Sequence, residues 1–201
     1  MNRLLDSSAQ HVMLDLETLS TKPNAVITEI GAVVFNSEEI SAKFYCNINI
    51  QSCLDLGLQV DGNTIAWRMK NAQVQEETVG LHIETALIRF NSFIAQYTNR
   101  EKVKVYGNSS AFDNVILRNA FEASHFTPPW NWNNDRCYRT LKNLYPHIEL
   151  ERIGTHHNAL NDAESQAEHM IDIARFHNGL LDRHVDSIRL PSAFEDEHRP
   201  A

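Results

Sequence analysis

Apolar residues follow two rhythms along this chain, and the change from one to the other predicts its architecture. Residues 11–16 form a short, nearly unbroken apolar run, the pattern of a buried strand. Residues 25–35 (AVITEIGAVVF) are β-branched and apolar, a second strand, with Thr21-Lys22-Pro23-Asn24 as the turn before it. Residues 42–50 alternate through Phe44, Cys46, Ile48 and Ile50, a third strand. Short links between the three predict an antiparallel meander.

The rhythm then becomes helical. Asp61-Gly62-Asn63-Thr64 reads as a turn into a helix over 65–70. Ile83, Leu87, Phe90 and Ile94 recur at helical spacing and predict an amphipathic helix over 82–97. Residues 103–106 form a short strand, Gly107-Asn108-Ser109-Ser110 a loop, and 111–123 a helix. Thr127-Pro128-Pro129 breaks the chain, and Asp135 is placed to cap a helix over 137–144. After a loop at Ile153-Gly154-Thr155, the residues Leu160, Ala163, Ala167, Met170, Ile171 and Ala174 trace one face of a long helix. Strands lead, and helices alternating with a strand follow. That order predicts one α/β domain with a mixed sheet. It spans 11–178, between an N-terminal extension over 1–10 and a partly disordered tail over 179–201.

Length agrees, since 201 residues suffice for one well-packed domain and not for two large ones. No apolar run approaches the roughly 20 residues that cross a bilayer. The first ten residues lack a signal-peptide core. A cytoplasmic protein with no membrane partner is expected. Cys46, Cys53 and Cys137 are too few and too scattered for a disulfide framework or a zinc knuckle. The net charge of −8 excludes a protein that coats duplex DNA by charge alone. If this chain handles nucleic acid, it must grip locally, with metals and a few placed cations. A homodimer stays open, because the sequence does not fix the oligomeric state.

The chemistry begins at Asp15 and Glu17, two acids one residue apart at the end of the first apolar run. On a strand, residues i and i+2 share a face, so both carboxylates meet one site. Like charges that close need a cation or a raised pKa. Oxygen ligands suit magnesium or manganese. Acid-x-acid pairs are also common on solvated strand faces, so the pair gains meaning only from its company.

Asp113 lies at a helix start just after a strand, where α/β domains place ligands. The helix dipole also favours an acid there. His157 and Asp162 are five residues apart, about 140° in azimuth on a regular helix. His157 therefore belongs in the loop or first turn, with Asp162 projecting from the helix toward the same point. Asp162 falls between Leu160 and Ala163, near the buried border of its helix, and an acid there needs a partner.

Taken together, Asp-x-Glu, then Asp after a strand, then His-x4-Asp at a helix start resembles the DEDD exonuclease superfamily, in the subtype with a histidine five residues before the last acid. The resemblance covers roughly residues 11–176. The stretch LDLETLSTKPNA from Leu14, Gly107-Asn108 with FDNVIL from Phe112, WNNDRC from Trp132 and GTHHNAL from Gly154 are similar to a phage and prophage branch labelled exodeoxyribonuclease VIII-like. That branch is similar in turn to a mycobacterial 3′–5′ exoribonuclease family and to a T-even phage exonuclease.

The resemblance implies an RNase H-like fold, a mixed sheet of antiparallel meander and parallel strands flanked by helices. It implies two Mg2+ or Mn2+ ions on Asp15, Glu17, Asp113 and Asp162, with His157 as general base. The motif spacing selects His157 over His156. The implied activity is 3′–5′ hydrolysis of single-stranded ends to nucleoside 5′-monophosphates, with DNA slightly ahead of RNA. Glu17 contacts the terminal 3′-hydroxyl in relatives. Leu16 and Thr18 offer backbone to the end nucleotide.

Three further assignments carry alternatives. Trp67 can stack on a base or simply pack its helix. Asn108 can hold a phosphate or the loop. Arg136, Arg139 and Lys142 can line a strand path or form a solvated face. Two rivals frame the whole reading. One is a zinc hydrolase on His156, His157 and a distant acid, which lacks the HExxH pattern. The other is a binding module on the same fold with no activity.

Overall fold

The computed structural model describes residues 3–5, 10–71 and 80–188. Eleven segments build it: β1 (His11–Thr18), β2 (Ile27–Phe35), β3 (Ile40–Asn47), α1 (Ile50–Asp55), α2 (Gly62–Asn71), α3 (Ile83–Tyr97), β4 (Lys104–Gly107), α4 (Asp113–Ala123), β5 (Asp135–Cys137), α5 (Tyr138–Leu144) and α6 (Ala159–Ile188). The sheet order is β3-β2-β1-β4-β5. β1, β2 and β3 pair antiparallel, and β4 and β5 add in parallel. This is the expected meander joined to parallel strands.

β1 is central, and it is buried on both faces because each face meets its own core. Val12, Leu14 and Leu16 join Ile30, Ala32 and Val34 of β2 and the apolar sides of α3 and α4. Met13 joins Val33, Phe35, Tyr106 and the α6 residues Ala163, Ala167, Met170, Ile171 and Ala174. With a period of two, Asp15 and Glu17 fall on the α6 face. Opposite them in β2 stand Gly31 and Glu29.

Gly31 is where β2 and α6 touch most closely. A Cβ there would stand 2.1 Å from the Ala159 carbonyl carbon, so only glycine admits the helix. The buried Glu29 carboxylate accepts the Ala159 amide at 3.1 Å, and Asn158 Oδ1 accepts that of Asn161 at 3.1 Å. Both satisfy donors that a helix start leaves unpaired.

Three expectations are corrected. The third strand ends at Asn47, and Ile50 opens α1, which Asn49 caps by accepting the Ser52 amide. Asp135 does not cap a helix: it begins β5, and its carboxylate accepts from Trp130 Nε1, Asn114 Nδ2 and Arg118. Residues 179–188 continue α6 and are not a tail; residues 189–201 lie outside the described residues. The extension is partly docked. Leu5 is buried beside Met13, and Asn178 of α6 accepts the Leu4 amide and donates to the Leu5 carbonyl.

Candidate active site

The parallel strand ends, α2, α5 and the start of α6 enclose a cleft of about 800 Å³. Asp15, Leu16, Glu17, Thr18, Trp67, Asn108, Asp113, His156, His157 and Asp162 all line it. These ten residues therefore reach one place, from four separate segments of chain.

Backbone geometry sets the acids. Asp113 is the first residue of α4 and only 3% exposed. Its Oδ1 accepts the Leu16 amide at 3.2 Å and its Oδ2 the Asn108 amide at 2.8 Å. The Leu16 backbone thus clamps the acid from β1, and its side chain packs in the core. Gly107 permits that approach: a Cβ there would stand 2.9 Å from the Asp113 Cβ. Asp15 Oδ1 accepts Gln166 Nε2 at 2.9 Å. Asp162 Oδ2 accepts the His157 amide at 3.1 Å and Oδ1 accepts Arg152 at 2.9 Å. Glu17 is ion-paired to Arg68 of α2, which also donates to Thr28 Oγ1.

The carboxylate oxygens of Asp15, Glu17 and Asp162 lie within 4.8 Å of one another. Asp113 does not join that trio, but its charge acts on Asp15 as well. Burial holds the Asp15 carboxyl well above the usual range, and the charges of Asp113, Asp162 and Glu17 push it further, against the Gln166 hydrogen bond. Burial raises Glu17 to about 7, aided by Glu29 and Asp162 and opposed by Arg68. Asp113 is also raised to about 7 by burial, against the two amides it accepts. Such acids are short of positive charge, and their all-oxygen donor set fits hard divalent cations.

His157 sits in the loop before α6 with φ of 64°, and its Nδ1 is 4.0 Å from Glu17 Oε1. Burial and the adjacent His156 lower its pKa below the ordinary histidine value. Trp67 is 48% exposed, with its ring edge-on to His157 at 5.3 Å between centroids. It faces the cleft and does not serve simply to pack α2. The Thr18 hydroxyl donates to the Ser20 carbonyl and so braces its own turn. The Asn108 carbonyl accepts Arg139 at 2.7 Å, which ties that loop to α5. Arg139 and Lys142 line the cleft, whereas Arg136 lies outside the lining and donates to the carbonyls of Asn133 and Asp135.

Four participants were not anticipated. Glu29 had a signal, as the single charge in an otherwise apolar strand run. Gln166 had one too, a polar residue four past Asp162 on the same helix face. Arg68 and Arg152 had none, because their partners lie elsewhere in the chain.

A mixed sheet gathers three acids and a histidine beside a fourth acid, and solved exonuclease structures share this fold. The nuclease domain of 3′hExo, a DEDDh family member bound to rAMP, is 16% identical with a TM-score of 0.58, covering 85% of this chain and 94% of that one. Product-bound exonuclease I is 14% identical at 0.58, covering 89% of this chain and 46% of that longer chain. A full-length 3′-exonuclease is 14% identical at 0.54, covering 85% and 82%. No curated protein sequence matches the chain. The chain belongs to the 3′-5′ exoribonuclease Rv2179c-like domain family, whose model matches residues 10–174. It is a 3′–5′ exonuclease. No helix among the described residues is long and apolar enough to cross a membrane.

Proposed function

We propose that this exonuclease removes nucleotides one at a time from single-stranded 3′ ends, with two divalent ions held by Asp15, Glu17, Asp113 and Asp162 and with His157 as general base. The observation that carries the reading is the meeting of these five side chains in one cleft. Asp15 feels the charges of Asp113, Asp162 and Glu17 together, so these four carboxylates would hold the cations as one group. When bound, magnesium or manganese supplies the charge that neutralises the acids and activates water for in-line displacement.

The chain's own residues do the rest. Neutral His157 takes the proton of the attacking water as its oxygen bonds to phosphorus. The P–O3′ bond breaks, the leaving oxygen takes up a proton, and a nucleoside 5′-monophosphate departs. The hydrogen bond that the His157 amide donates to the Asp162 carboxylate holds the base loop against an acid of the site. Trp67 offers a face to a base, and Arg139 and Lys142 line the route of the phosphates. The motif wording leans to DNA, while the family description names an exoribonuclease, and family membership favours RNA.

End-labelled single-stranded RNA and DNA, incubated with manganese and with chelator, test this directly. The expected result is stepwise 3′ shortening to 5′-monophosphates, abolished by chelator and lowered about 10²- to 10⁴-fold in His157→Ala. Undiminished hydrolysis in chelator, or in His157→Ala, overturns it.

A further inference from the structure

His156 plays no part in the proposed hydrolysis, yet it is the immediate neighbour of two residues that do. Its ring stacks on that of His157, 3.8 Å between centroids and inclined by 25°. Consecutive side chains point to opposite sides of a strand. Here the left-handed φ of 64° at His157 folds the two to one side. Ligand atoms of His156, His157 and Asp162 all lie within 4.8 Å of one another. Among the described residues this is the second such group, and its chemistry differs from that of Asp15, Glu17 and Asp162.

Three carboxylates suit hard cations that keep their water. Two imidazoles and one carboxylate suit a borderline ion such as zinc, which takes nitrogen at about 2.0–2.1 Å and carboxylate oxygen at about 2.0–2.2 Å. Three protein ligands with a fourth position open is a coordination that zinc accepts. The exposed His156 ring is free of core packing that would oppose its movement onto an ion. Arg152, which now donates to Asp162 Oδ1, has a side chain 47% exposed and can turn into solvent.

We propose that His156, His157 and Asp162 form a second metal site, selective for zinc-like transition ions, and that its occupation switches the exonuclease off. An ion there takes the nitrogen lone pair with which His157 would accept a proton, and it draws Asp162 from the acidic trio. The binding half of the proposal stands on these three residues alone. The inhibitory half rests on the exonuclease reading.

The test uses the full chain, titrated with zinc by calorimetry and with cobalt by visible absorption, beside hydrolysis assays in magnesium. Wild type should take one zinc per chain at this site and lose hydrolysis as it fills. His156→Ala should weaken zinc binding by at least what losing an outer-shell partner costs, about 10- to 100-fold. It should resist zinc inhibition by the same factor, read as the fraction of its own zinc-free, magnesium-supported rate. Asp15→Asn should bind zinc and give the cobalt spectrum like wild type, because Asp15 is not a ligand here. Unaltered zinc affinity in His156→Ala, or loss of the site in Asp15→Asn, overturns the proposal. If wild type binds zinc as described but hydrolyses nothing, the exonuclease reading fails and the inhibitory half with it, while the site stands.

Discussion

Asp15 and Asp113 belong to a wall of the cleft built by backbone, and His157, Trp67 and Arg68 to one built by side chains. On the first wall, strand register and main-chain amides fix the acids: the Leu16 and Asn108 amides hold Asp113, and the β1–β2 ladder holds Asp15 beneath α6. On the second, an ion pair, an edge-on ring contact and one left-handed residue do the work. Where backbone sets a position, a change of side-chain chemistry leaves the geometry standing. Where side chains set it, chemistry and geometry change together. The two walls meet at the start of α6, where Gly31 and Glu29 of β2 grip Ala159.

The sharpest test of the backbone wall is Asp15→Asn. Removing the charge should lower the hydrolysis rate by about 10³-fold or more, by the scale of lost electrostatic stabilisation. The apo protein should melt no lower than wild type, because the raised pKa marks that charge as a burden on the fold. A rate assay with a thermal melt checks both, and a large fall in melting temperature would show that the acid is a structural strut.

Gly31→Ala probes the junction. The added methyl would stand 2.1 Å from the Ala159 carbonyl carbon. α6 must shift, carrying Asp162 and the His157 loop with it. A loss of about 1–3 kcal/mol by urea unfolding is expected, with reduced hydrolysis. Wild-type stability would mean that the two walls are not joined there.

Trp67→Ala tests the side-chain wall. It should raise KM by the worth of one stacked base, about 1–3 kcal/mol, with a smaller change in kcat. A kcat effect alone would reassign Trp67 to positioning His157.

A further test of the acids is the pH dependence of stability. Asp15, Glu17 and Asp113 all carry raised pKa values, the last two near 7. Between the unfolded carboxyl range and about 7, the folded chain therefore binds more protons than the unfolded one. Stability in chelator should be full below about pH 4 as far as these groups go, and should fall as pH rises through 7. Magnesium or manganese should flatten that fall. Melting curves from pH 4.5 to 8, with and without metal, measure it, and a rise in chelator over that range would contradict the assigned shifts.

Much of the fold was legible because it rests on periodicity. β1, β2, α3 and α6 announce themselves by apolar spacing that burial then confirms. α1 and β5, of six and three residues, are too short to show a period, and β5 is held by its neighbour β4 and by the side chains gathered on Asp135. Asp135 looked like a cap because a cap and a buried acceptor read alike in sequence. Within the site, the acids were legible because their spacing is local: i and i+2 on a strand, the first residue of a helix, the first turn of another. The guanidiniums were not, since Arg68 and Glu17 are 51 residues apart.

What the sequence determined by itself was which residue types stand at which places along each element, because strand and helix periods are properties of the local chain. That was enough to set four acids and a histidine on strand ends and helix starts. Only the tertiary structure decided what neutralises them, that Arg68 and Arg152 sit on two of the acids, that Glu29 holds the start of α6, and that His156 stacks against His157. Those contacts depend on the packing of segments distant in sequence, and charge and hydrogen bonding act through space, which no one-dimensional spacing records.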